Sequence, residues 1–236
     1  MREVSKCAYF VYCFAHRLNL VIVEACSQNK VIRNFFGVVE SLFVFIECST
    51  KRHAKFKAVR DQMLSVLRSE ETPSVSAGRD DCSKTLHSLS TTRWSSRVDN
   101  CKALADNLTG VKKTLTDITE DGSFDRKTAG EAMSLLKCLD FEFCYALTIM
   151  SHLLSISNVV SKNLQSSSVN IAVPALQVDD LVPVVSGKRT DEHFEEFLAK
   201  ATTMADSIDV QFTPPCSRKV SKRIDQFWQT EIALPG

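Results

Sequence analysis

Glycine and proline are scarce in this chain, seven and six in 236 residues, which leaves little room for a turn-rich β-sandwich or a loop-dominated fold. The glycines never cluster, so a glycine-rich phosphate loop is excluded as well. Neither sign of charge is in excess: 29 Lys and Arg stand against 28 Asp and Glu. With a net charge of +1, whole-molecule electrostatics draws the chain to neither nucleic acid nor membrane, and any such contact must be local. The most apolar runs are broken by Arg17, Glu24, Arg33, Glu40 and Glu47, which predicts a soluble chain with no membrane span. The opening Met1-Arg2-Glu3 is charged and precedes no clean hydrophobic region, so no signal peptide is expected.

Cysteine is plentiful, but nine is an odd number, and the nine are scattered through stretches of helical spacing rather than set as a disulfide framework. They are expected to be reduced, in the nucleus or cytoplasm, and to serve mostly as small buried apolar side chains.

What the chain does have is apolar residues recurring at three and four, the spacing of one helix face. Leu18, Ile22 and Ala25, then Ile32, Phe35, Phe36, Val39, Leu42, Phe43 and Ile46, predict two packed helices within 15–48. Phe56, Val59, Met63 and Leu67 predict a third, weaker helix. The polar stretch 70–90, with Pro73, Gly78 and several serines, reads as an irregular loop. Val98, Cys101, Leu104, Leu108, Val111, Leu115 and Ile118 then give the strongest helical pattern, over 93–120, ending at Asp121-Gly122. A further pattern over 127–168 pauses near Leu139 to Phe141, and Phe194, Phe197, Leu198, Ala201, Met204 and Ile208 mark a last amphipathic helix before Pro214-Pro215. Only residues 7–13, with three aromatics and a valine together, suit a short buried strand. The expected fold is therefore mainly α, with a basic, poorly packed tail over 213–236.

Two short motifs stand out chemically. Cys13 and His16 have the spacing of half a zinc site, with Cys7 six residues earlier. A fourth ligand and a second tight pair are missing, since Cys48/His53 and Cys82/His87 are more loosely spaced. The favoured reading makes His16 a first-turn residue hydrogen-bonded to a neighbouring element; no metal and no cofactor are expected. Thr92-Arg93-Trp94-Ser95-Ser96-Arg97 sets an indole between two guanidiniums at the mouth of a long helix, a combination that can stack on an unpaired base and hold a phosphate. The plainer reading has Trp94 anchoring the helix start while the arginines stay in water. Adjacent carboxylates such as Asp80-Asp81, Asp179-Asp180 and Glu195-Glu196 point in different directions and do not form a two-metal site, and no nucleophile signature is present.

Taken in order, Cys13-Phe14-Ala15-His16-Arg17-Leu18-Asn19-Leu20-Val21, Phe35-Phe36, Ser49-Thr50-Lys51-Arg52 and Thr92-Arg93-Trp94-Ser95-Ser96-Arg97 resemble hAT-superfamily transposases, in the branch that includes MYM-type zinc finger proteins. Phe141-Glu142-Phe143 and Ser161-Lys162-Asn163-Leu164-Gln165 agree, and the resemblance spans roughly residues 7–182. It implies an RNase H-like core interrupted by a large helical insertion. In that picture residues 1–14 are the remnant of the core, with its last strand at 8–12, and the insertion occupies 15–69 and 91–212.

The family pattern places Cys13 and His16 beside the active site. It matches Trp94, accompanied by Arg93, to a tryptophan that stabilises a flipped base. The family's three catalytic carboxylates, which bind two divalent metals, are matched by nothing here, and its dimerisation segment is also absent. The expectation is a truncated, catalytically incompetent transposase-derived protein, not an enzyme, keeping weak DNA contact through Arg93, Trp94, Arg97 and the basic tail. The alternative is a helical module that binds protein partners and has no nucleic-acid role.

Overall fold

The computed structural model describes residues 14–70, 94–165 and 181–212. Among these, seven helices account for nearly everything and no strand occurs: α1 (Phe14–Gln28), α2 (Lys30–Glu47), α3 (Thr50–Glu70), α4 (Trp94–Glu120), α5 (Arg126–Cys138), α6 (Phe141–Gln165) and α7 (Asp191–Ser207), with a short helical turn at 181–186 before α7. The predicted strand at 8–12, the loop 70–90 beyond its first residue, and the tail 213–236 lie outside the described residues.

Each break between helices has a local cause. Asn29 ends the first apolar series by capping α2, its side-chain oxygen accepting from Val31 N at 2.9 Å and Ile32 N at 3.2 Å. Asp121 folds the chain after α4 by accepting from Ser123 N at 2.9 Å, and Asp125 then caps α5 through Thr128. The pause near Leu139 is a cap as well: Asp140 accepts from Phe143 N at 2.8 Å while Leu139, 3 % exposed, drops into the core.

The core is continuous across the bundle. From α2 come Phe35, Phe36, Val39, Leu42, Phe45 and Ile46, and from α3 Phe56 and Val59. α4 contributes every residue of its predicted stripe from Val98 to Ile118, all buried. Because α4 packs against α3, α5 and α6 together, it also buries Ala103, Asn107 and Thr114 beside that stripe. A buried Leu or Phe side chain of this kind stabilises by about 1.5–3 kcal/mol through apolar area removed from water.

α3 carries many cations, and three of them serve the fold. Lys51 Nζ donates to Ser123 O at 2.5 Å and lies 4.1 Å from the Phe124 ring centroid. Arg52 donates to Phe45 O and stacks on the same residue's ring at 4.5 Å. Lys55 sits 3.8 Å from Asp117 and 3.6 Å from Asp121. These contacts tie α3 to α2, to α4 and to the turn after α4.

Two expectations need correction. Phe194 belongs to the predicted apolar face of α7 but is 53 % exposed; Phe197, Ala201 and Ala205 carry the burial. α6 has no Asp, Glu, Lys or Arg between Glu142 and Lys162, and by length and composition it is apolar enough to cross a membrane, contrary to the expectation that charges interrupt every such run. Its residues Phe143, Leu147, Met150 and Leu154 are buried inside the bundle, where α6 packs against α4 and α7. Other positions on the same helix stay open, Val159 being 61 % exposed.

Candidate nucleic-acid interface

The candidate motif lies where α4 begins. Trp94 is the first residue of α4, Arg93 falls outside the described residues, and Arg97 is the first member of the motif whose surroundings are defined. Arg97 is half-buried, its guanidinium carbon 4.7 Å from the centroid of the Phe36 ring on α2. Phe36 meets Phe35 edge to face at 5.0 Å, and Phe35 packs on Phe143 of α6 at 5.3 Å. A cation and three rings thus run from the first turn of α4 across α2 into α6. Cation–π contacts gain strength when partly desolvated, as this one is.

The electrostatics agree with a role in the seam. Burial lowers the Arg97 pKa from its ordinary value, against which Cys26, Cys101 and Glu40 act. Burial likewise raises both thiols, Cys101 to about 12, with Arg97 offsetting part of the effect. Thiols held protonated in this way are poor nucleophiles and poor metal ligands. Arg97, a candidate phosphate contact by its place in the motif, is half-buried and rests on Phe36 of α2.

Of the second motif, Cys13 lies outside the described residues. His16 sits in the first turn of α1 as expected, and its side chain is exposed. Among the described residues, no group of three or more His, Cys, Asp or Glu is arranged to hold a metal ion.

A concave surface lies elsewhere, between α2 and α5. This open groove of about 630 Å³ is lined by Glu40, Val44, Phe45, Arg52, Lys127 and Leu135 among others. Sequence reasoning missed it, and also missed two histidines: His152 on α6 and His193 on α7 meet at one seam although they stand 41 positions apart. The available signal was His152 itself, an ionisable residue inside an otherwise uncharged apolar stretch.

The described residues define a mainly α-helical bundle organised around α4, with an aromatic and cationic column beneath the start of that helix. No family model matches the chain, and no solved structure matches it.

Proposed function

We propose that this chain is the helical insertion region of a hAT transposase-like protein, and that it touches nucleic acid at the start of α4. The observation that carries this reading is the seating of Arg97 on Phe36. It anchors the first turn of α4, and the N-terminal end of a helix suits an anion. Arg93 and Trp94 immediately precede that anchor, one to hold a phosphate and one to stack on an unpaired base. Arg97 then serves the contact as its support. The reading assigns the chain no cutting or joining of DNA and no cofactor. Asp117 and Asp121 share Lys55, Glu47 pairs with His53 and Glu196 with Lys200, so these carboxylates are engaged in separate places.

The test is binding to single-stranded and hairpin DNA. Stacking on one base is worth about 1–3 kcal/mol, and about 1.4 kcal/mol is a decade of affinity, so Trp94→Ala should weaken binding on the order of tenfold. Arg93→Ala should lower the salt dependence by about one phosphate contact. Thermal denaturation of each variant separates lost contact from lost fold. Wild-type protein that ignores DNA even at about 50 mM salt sinks the proposal.

A second reading, a protein-binding helical module, is favoured by the groove between α2 and α5, where Val44, Phe45 and Leu135 are flanked by Glu40 and Lys127. The outer face of α7 agrees with it, since Glu192, Glu195, Glu196 and Asp206 are exposed and would repel phosphate there.

A further inference from the structure

α7 rests on α6 through a seam containing two imidazoles. His152 meets Phe197 edge to face, with centroids 5.2 Å apart, and its Nε2 is sealed from solvent without a hydrogen-bond partner. A neutral ring tolerates that position with its proton on Nδ1. An imidazolium would bury an N–H that has no acceptor.

His193, in the first turn of α7, lies between Lys188 and Thr190: its Nε2 is 3.0 Å from Lys188 Nζ and its Nδ1 2.8 Å from Thr190 Oγ1. An ammonium only donates, so Nε2 accepts and the ring proton sits on Nδ1, toward Thr190. That bond ties the start of α7 to Lys188. The charged groups facing His152 are Lys188, Lys200, His193 and Glu196. Glu196 alone favours the charged ring, and its carboxylate is already bound by Lys200 at 2.6 Å.

We infer that the α6–α7 seam is an acid-opened latch: α7 stays docked while His152, sealed against Phe197, is neutral, and lifts when that ring takes up a proton, uncovering the stripe of α6 from Tyr145 to His152. Burial first, then Lys188 and Lys200, push the His152 pKa below its ordinary value. The docked state therefore binds fewer protons than the undocked one. Docking is at full strength above the ordinary histidine value of about 6.5 and weakens as pH falls below it.

Hydrogen exchange on the full chain from pH 7.5 to 5 tests the latch, with protection corrected for intrinsic exchange. Residues 191–207 should lose protection by up to about tenfold per pH unit below 6.5 as His152 protonates, while residues 98–118 of α4 stay level. His152→Gln, which cannot protonate, should flatten the loss in α7. Should that variant not fold, the His152 ring signal in wild-type protein decides: its titration midpoint should lie below that in the urea-unfolded chain and coincide with α7 opening. Level protection in α7, unaltered pH dependence in His152→Gln, or a midpoint equal to the unfolded one overturns the inference.

Discussion

α4 and α7 are both amphipathic helices with apolar residues at three and four, yet the bundle uses them differently. α4 is covered by α3, α5 and α6, and Cys101, Leu104, Leu108, Val111, Leu115 and Ile118 are each at most 2 % exposed. α7 buries one stripe of Phe197, Ala201 and Ala205, and its ends are held by polar clasps. Thr190 caps its start and engages His193. At its end Lys112 of α4 donates to Ile208 O and lies 3.7 Å from Asp209. The chain there closes in a Schellman turn, Val210 N donating to Ala205 O at 2.9 Å, with Asp209 in the left-handed conformation at φ 46°. A helix held by apolar area on three sides opens only with the whole bundle. One held by a single stripe and a few hydrogen bonds can open alone.

The largest test of that contrast is Leu115→Ala. Leu115 is fully buried, so its truncation should cost about 2–5 kcal/mol and shift the chemical denaturation midpoint of every helix together. Loss confined to one helix would break the comparison. Lys112→Met should act in the opposite manner, costing on the order of 1.5–2 kcal/mol through the lost charged hydrogen bond. Its effect should appear as faster hydrogen exchange in 191–207 with α4 unchanged. Thr190→Ala removes a helix cap worth about 1 kcal/mol and should loosen the first turn of α7 alone, again read by exchange. The smallest effect has the opposite sign. An added Cβ at Gly37 of α2 or Gly130 of α5 meets nothing within 4 Å, so Gly37→Ala and Gly130→Ala should each stabilise by about 0.5–1 kcal/mol in thermal unfolding.

The candidate site was only partly legible beforehand. Arg97 announces itself in the same short motif as Trp94, but its engagement with Phe36 joins positions 61 apart. Phe194 fits the apolar spacing of α7 and still largely faces solvent, its ring 6.1 Å from that of Tyr145, because the α6 surface accepts Phe197 one turn later. His152 and His193 carry no shared motif, and nothing local tells that they share a seam.

The amino-acid sequence by itself determined the helices and their ends, because apolar spacing and caps such as Asn29, Asp125 and Asp140 act within four residues of where they are written. It also marked α4 as the strongest helix, since no other element repeats its apolar positions for so long; that α4 packs against α3, α5 and α6 is a tertiary fact. Only the tertiary structure decided which cations were left for a partner. Lys51, Arg52, Lys55, Arg97 and Lys112 are each taken up by carbonyls, carboxylates or rings of other elements. Those partners are brought near only when distant helices pack, and a near-neutral count of charges cannot tell a cation held inside the bundle from one that faces water.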